Sequence, residues 1–375
     1  MDLLECRKQL DEIDRQIVEL FERRMKICGH VAESKIASGK AVYDGERERQ
    51  KLEAVKAMAH GDFNQTAVQE LFSQMMTISR RYQYRLLEEH GKSVELGFQK
   101  VSELPLKGAR VVYQGVEGAY SHGAARQYFG EDARLYHVER FGDAMAEVEE
   151  GRADFAVLPI ENSSAGAVVD MYDLLTRYSN SIVAETFLPV SHALLGTVDA
   201  DVEQIQQVYS HPQALMQSSE YLNSHREWKQ ISMENTAVAA RKVLEDGDCT
   251  QAAVASEIAG KLYGLKVLKS SIQNNKGNTT RFIILAKKPV YRQDAGKISL
   301  CFELPHRSGT LYNILGHFIF NHVNMVMIES RPIPGRNWEY RFFVDIEGSL
   351  EDAAVKNALK GIGAEAQNLR ILGNY

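Results

Sequence analysis

Proline is missing from the opening of the chain: of 8 prolines in 375 residues, the first is Pro105. That excludes a sharply broken fold for the first ~90 residues and favours long helices. Cysteine is scarce. Cys6, Cys28, Cys249 and Cys301 are scattered without a CxxC pair, which argues against a disulfide framework and fits a reducing cytoplasm. The 11 histidines include no HxH or HExxH, which argues against a zinc site, and no metal is expected. No apolar run approaches the roughly 18 residues of a membrane span. The start, MDLLECRKQL, carries charge from its second residue and has no apolar signal core. Positive charge is not in excess, with 44 Lys+Arg against 50 Asp+Glu and a net charge of −6. This argues against a nucleic-acid or membrane-surface partner, but local arginines and lysines could still hold an anionic small molecule. Internal repeats and low-complexity segments are absent as well.

The composition, 44% hydrophobic and 25% charged, is that of a soluble globular protein, and the length suggests two or three domains. Positions 3, 6, 10, 13, 17, 20, 24, 27 and 31 form a 3-then-4 seam of Leu3, Cys6, Leu10, Ile13, Ile17, Leu20, Arg24, Ile27 and Val31. This predicts a long coiled-coil-like helix. A loop, SGKAVYDG, follows, with Asp44 as N-cap of a second helix to about Ala59. HGDFN breaks that helix, and a third runs from about Thr66 to Glu89. Such unequal helices make no compact single-chain bundle, so the first needs a partner chain. Residues 91–108 read as a linker. Alternating strands (ARVVYQG, ADFAVLPIE, SIVAETFLPV) and helices (SHGAARQYF) then predict an α/β domain to residue 286. Its polar loops, GVEGAYS, PIENSSAG, SHPQ and GNTTR, stand at strand ends, where such folds build ligand sites. KKPVYRQDAG, 287–296, reads as a second linker. The tail, 297–375, reads β-α-β-β-α-β, a ferredoxin-like sandwich.

Arg24 interrupts an apolar seam. Alone it could be a snorkelling arginine. Lys35, 11 residues on, faces the same way, whereas Arg7 lies 17 residues before Arg24, roughly 25 Å along the helix. One small ligand could meet both arginines only if Arg7 came from a second subunit. Arg47 and Glu48 follow the Asp44 cap. Ser79 and Gln83 share a face of the third helix, although either alone would pass for a solvent-facing residue.

The set Arg7, Arg24, Lys35, Asp44, Arg47, Glu48, Ser79 and Gln83 resembles the all-helical chorismate mutases. The resemblance covers residues 1–90 and implies an intertwined dimer. The implied rearrangement is pericyclic and needs no nucleophile or cofactor, only a compact conformer held in place. Arg7 and Arg24 would clamp carboxylates, with Arg47 adding to the cationic surroundings. Lys35 and Gln83 would donate to the ether oxygen, where charge grows in the transition state. Glu48 would hold the ring hydroxyl and Ser79 a carboxylate. Gln83 donates at any pH, so no acid requirement is expected.

In the middle of the chain, Glu161, Asn162, Ser163 and Ser164 of PIENSSAGAV could be a cap cluster, GVEGAYSHGAA a glycine-rich turn, and SHPQALMQ an ordinary turn and helix. Taken in order with AAVAS and NTTRF, these stretches resemble prephenate dehydratase over residues 109–286. The resemblance implies a two-lobed fold like a periplasmic binding protein, with prephenate in the cleft. Thr280 would donate to the leaving hydroxyl and Arg281 would attract a carboxylate. Asn162, Ser210 and Gln217 match polar cleft positions, Tyr120 and Ser121 less strongly. Thr279, Ser163 and Ser164 would cap or shape turns.

In the tail, Gly309-Thr310-Leu311 and Glu329-Ser330-Arg331-Pro332 could be a turn and an edge strand. Together they resemble the ACT regulatory domain, which implies phenylalanine as effector. Some members carry Gly-Ala-Leu-Val where this chain has Gly-Thr-Leu-Tyr, so Tyr312 is the larger residue. The three modules stand in the order of the bifunctional chorismate mutase–prephenate dehydratase family, implying a multidomain cytoplasmic enzyme, dimeric or larger, that makes phenylpyruvate under phenylalanine control. A non-catalytic amino-acid sensor, or a mutase with a silent dehydratase, would fit the same folds. The complete Arg/Lys/Gln set and the NTTRF motif argue against both.

Overall fold

The computed structural model describes residues 2–90 and 97–375; residues 91–96 of the expected first linker lie outside the described set. The chain packs as two compact units. One combines the N-terminal helices with residues 300–370, and the other comprises 97–299 with 371–375.

In the first unit, helix α1 is Leu3–Ser38, α2 is Gly45–Met58 and α3 is Asp62–Glu89. At 36 residues, α1 is about 54 Å long. It ends at Gly39, whose φ of 68° is the left-handed stop that glycine tolerates. The Asp44 carboxylate accepts from Arg47 N at 3.0 Å and starts α2 as the sequence suggests. Helix α3 begins four residues earlier than the sequence reading places it. The break is confined to Ala59–Gly61, and Asp62 already supplies the acidic first turn. Both α1 and α2 pack on α3. The α1 seam stays largely uncovered, with Leu10, Ile17, Leu20 and Ile27 each more than half exposed.

Residues 297–374 form the β-α-β-β-α-β array read from the sequence. Its sheet order is Met325–Pro332, Tyr340–Glu347, Lys297–Leu304, Gln367–Asn374, with helices Thr310–Phe320 and Ala353–Glu365. Helix α3 packs against Ala353–Glu365. The Arg81 guanidinium lies 3.8 Å from the Phe320 ring centroid and donates to Phe320 O at 2.9 Å.

The second unit has two lobes. The first is built on strands in the order Ser181–Pro189, Thr279–Ala286, Phe155–Asn162, Arg110–Gln114, Arg134–Val138. The second carries Lys266–Lys269, Ala193–Gly196, Gln251–Ala255, Gln207–Ser210 and Lys229–Ser232. Each lobe has its own apolar core, centred on Val111, Val157 and Ile284 in the first and on Leu194, Leu195 and Val254 in the second. The chain crosses between lobes twice, and the crossings run side by side: Ile272 N donates to His192 O at 2.9 Å and Val190 N to Asn278 O at 2.8 Å. The stretches expected as linkers also meet. Gln99–Val101 pairs in parallel with Val290–Arg292.

Candidate active sites

The cleft of the second unit is a cavity of about 470 Å³, to which both lobes contribute: Gln114, Tyr120, Asn162 and Thr280 from one, His211, Gln217 and Asn235 from the other. Strand Thr279–Ala286 enters it antiparallel to Phe155–Asn162, with Thr280 opposite Asn162. The Asn162 amide is held at both ends. Its Oδ1 accepts from Ser164 N and Ala165 N, each at 3.0 Å. That fixes which end is nitrogen, and Nδ2 donates to Asn278 Oδ1 at 2.8 Å and to Thr280 Oγ1 at 2.9 Å. Because Thr280 Oγ1 receives this bond, its own proton is left for an acceptor in the cavity.

Alternation along the strand separates the neighbours of Thr280 from the cavity. Thr279 joins the turn, its N–H donating to Ser163 Oγ at 2.9 Å. Arg281 does not line the cavity. Its Nε donates to Glu185 at 2.7 Å and its Nη2 to the Tyr375 hydroxyl at 2.7 Å. Ser210 is fully buried and donates to Val254 O at 2.5 Å, also outside the cavity lining. Tyr120, Ser121 and Gln217 do line it.

The helical cluster draws on all three helices. Arg24 turns inward: Nη1 bonds Ser79 Oγ closely and reaches Met75 O at 3.3 Å. Ser79 and Gln83 are buried, at 4% and 6% exposure, where either alone would be expected to face solvent. Gln83 Nε2 donates one proton to Ser79 O at 3.2 Å and keeps the second for a ligand, while its buried Oε1 has no hydrogen-bond partner among the described residues. Lys35 Nζ donates to Val42 O at 2.6 Å. Burial lowers its pKa, while the charges of Asp44 and Glu48 pull it back. Glu48 is ion-paired to Arg80. Arg7 and Arg47 are exposed, and Asp44 is engaged as the cap of α2.

Comparison with known proteins matches two stretches of the chain. Residues 6–84 match chorismate mutase type II and residues 111–290 match prephenate dehydratase. The bifunctional chorismate mutase/prephenate dehydratase of Escherichia coli K12 is 35% identical over 100% of this chain and 96% of its own length. The chain belongs to the bifunctional chorismate mutase/prephenate dehydratase family. It is an enzyme with both activities, acting on chorismate and on prephenate. Among solved structures, prephenate dehydratase from Arthrobacter aurescens, in complex with L-Phe, is 28% identical with a TM-score of 0.66, covering 71% of this chain and 89% of that one. GqqA, described as a novel type of quorum-quenching acylase, is 32% identical with the same TM-score, covering 71% of this chain and 97% of its own. Among the described residues no helix is long and apolar enough to cross a membrane.

The dehydratase cleft holds a residue that the sequence reading passed over. His192 is 2% exposed and lines the cavity. Its Nδ1 is 2.9 Å from the Tyr120 hydroxyl and its Nε2 is 3.1 Å from Gln217 Oε1. Burial lowers its pKa, with the Gln217 bond acting in the opposite sense. Burial also pushes the Tyr120 phenol up. The signal in the sequence is slight: one histidine in the apolar run LPVSHALLG. In the mutase, Arg80 was hidden by the neighbouring Arg81, since a pair of arginines on a helix reads as a solvated face. The tail residues Gly309, Thr310 and Leu311 begin helix Thr310–Phe320, with Gly309 in the left-handed region at φ 80°. Glu329, Ser330, Arg331 and Pro332 end the strand at the sheet edge.

Proposed function

We propose that Thr280 is the residue that assists departure of the prephenate ring hydroxyl, and that Asn162 aims it. The bond from Asn162 Nδ2 to Thr280 Oγ1 supports this most directly, because it leaves the threonine proton as the group offered to the leaving oxygen. Gln217 supplies a polar contact from the other lobe. Arg281 and Ser210 act from outside the cavity lining, Arg281 by holding Glu185 beside the reactive strand. Loss of water and carbon dioxide leaves aromatic phenylpyruvate, which places the chain in phenylalanine biosynthesis. Thr280→Val keeps the shape and removes the donor. It should lower dehydratase kcat by about 100-fold or more while chorismate consumption continues. Unchanged dehydration would remove Thr280 from the chemistry.

For the mutase, Arg24 and Ser79 form the carboxylate end, Lys35 and Gln83 the donors to the ether oxygen, and Glu48 the partner of the ring hydroxyl, with Asp44 and Arg47 shaping the start of α2. Arg7 comes from a second copy of the chain. The exposed α1 seam supports a homodimer, since an apolar stripe of this length in water calls for a covering helix. The functional domains are 1–90, 109–286 and 297–375. The tail is an ACT domain that takes phenylalanine near Gly309–Leu311 and Glu329–Pro332; the A. aurescens dehydratase, which is in complex with L-Phe, supports phenylalanine as the ligand but not its position. Phenylalanine should then suppress phenylpyruvate formation, and G309A should weaken that response by straining a left-handed position. The four free cysteines accord with a cytoplasmic location.

A further inference from the structure

Arg80 stands between Ser79 and Gln83 on α3 and is 4% exposed. Its guanidinium serves two carboxylates from distant parts of the chain. Nη1 pairs with Glu48 Oε2 of α2, and Nη2 lies 2.8 Å from Glu365 Oε1 at the end of helix Ala353–Glu365. Nη2 also donates to Thr77 Oγ1 at 3.0 Å, and the Tyr43 ring lies 5.3 Å from Cζ. The same Glu365 oxygen meets Nε2 of the fully buried His317 at 3.0 Å. His317 sits on the helix that Gly309 begins. A planar guanidinium holds two carboxylates in a fixed relative geometry, whereas an ammonium offers three rotating donors with no set plane. Glu48 has three rotatable side-chain bonds, and an unheld carboxylate would have to be ordered at each turnover. With Oε2 on Arg80, Oε1 keeps both of its acceptor positions for a ligand.

We infer that Arg80 is a positioning residue for the mutase reaction: it fixes the Glu48 carboxylate that meets the ring hydroxyl of chorismate, and Glu365 of the C-terminal domain fixes Arg80. The inference rests on the reading of Glu48 as a substrate ligand. Under it, the mutase site is incomplete without the tail, and the contact series His317, Glu365, Arg80, Glu48 joins the helix of the proposed phenylalanine site to the chorismate site.

A double-mutant cycle on the full chain tests this, with helical circular dichroism and thermal melting of the same samples reporting that the first unit has folded. Glu48→Gln should lower mutase kcat/KM by about 100-fold and Arg80→Met by about tenfold, whereas adding Arg80→Met to Glu48→Gln should cost less than about twofold more. Glu365→Gln should cost about threefold alone and nothing on the Arg80→Met background. Independent multiplication of the Glu48 and Arg80 effects, or an unchanged mutase in Arg80→Met, overturns the positioning role and leaves the reading of Glu48 standing. A neutral Glu48→Gln overturns that reading, and the inference with it. If Arg80→Met does not fold, Arg80→Lys replaces it. Lysine keeps the charge but not the rigid fork, so a partial loss that disappears on the Glu48→Gln background supports the role, and an equal loss on both backgrounds refutes it.

Discussion

The hydrogen-bond polarity at Thr280 is set by a neighbour's amide. Asn162 donates to Thr280 only because two backbone N–H groups hold its oxygen the other way. Asn162→Asp reverses the polarity: a carboxylate would take the threonine proton as an acceptor and place a charge beside the substrate. It should lower dehydratase kcat by at least about tenfold with the mutase unaffected, read by following phenylpyruvate and chorismate separately. The place of Thr280 on the cavity wall was legible in NTTRF. The separate place of Arg281 was legible too, in principle, because adjacent strand residues face opposite ways, but a motif invites its charged member into the site. Lys35 carries a second residue-scale prediction. Its pKa lies below the ordinary lysine value because burial outweighs Asp44 and Glu48. The alkaline fall of mutase kcat/KM, which reports the free enzyme, should therefore begin below the pH at which an exposed lysine titrates.

At the scale of elements, the helices were readable because nothing in the first ~90 residues interrupts an apolar repeat. The start of α3 was not, because a break as short as Ala59–Gly61 leaves no room for the longer loop that HGDFN suggested. The strands Gln99–Val101 and Val290–Arg292 were missed altogether. Three residues each, and far apart in sequence, they acquire strand geometry only from one another. The packing of Ala353–Glu365 on α3 likewise depends on side chains that no local pattern links. It has a pH signature. Burial raises the Glu365 pKa, but His317 and Arg80 outweigh it and the net shift is downward. A carboxyl with a depressed folded pKa adds stability above its unfolded value, near 4.3, and loses it as the pH falls through the folded value. Glu365→Gln should therefore destabilise the chain at pH 7 and narrow its difference from the parent as the pH drops below about 4, read as urea midpoints across that range.

For the molecule as a whole, the question is what covers α1. Ile17 is 55% exposed and Leu20 64%. Ile17→Glu should leave the second unit folded and active on prephenate, while sedimentation shows loss of the dimer and chorismate turnover falls because Arg7 is no longer delivered. A dimer that survives, or a mutase that works as a monomer, would contradict the shared site. The division into two units was not evident in the sequence, which displays three modules in a row. The joining of 300–370 to the N-terminal helices depends on contacts such as Arg81 with Phe320 and Arg80 with Glu365, made between residues more than two hundred positions apart.

The pairing of Gln99–Val101 with Val290–Arg292 has an engineering consequence. It brings the two ends of the dehydratase lobes onto adjacent parallel strands, roughly 190 residues apart in the chain. A segment whose ends meet can be cut out, fused into a host loop or circularly permuted with little added closure entropy. The lobes should thus tolerate new termini at an exposed turn such as Glu131–Asp132, provided residues 371–375, which pack with them, are supplied. Strands of three residues would then act as a seam for recombination, a place where a two-lobed binding fold can be gained or lost as one piece.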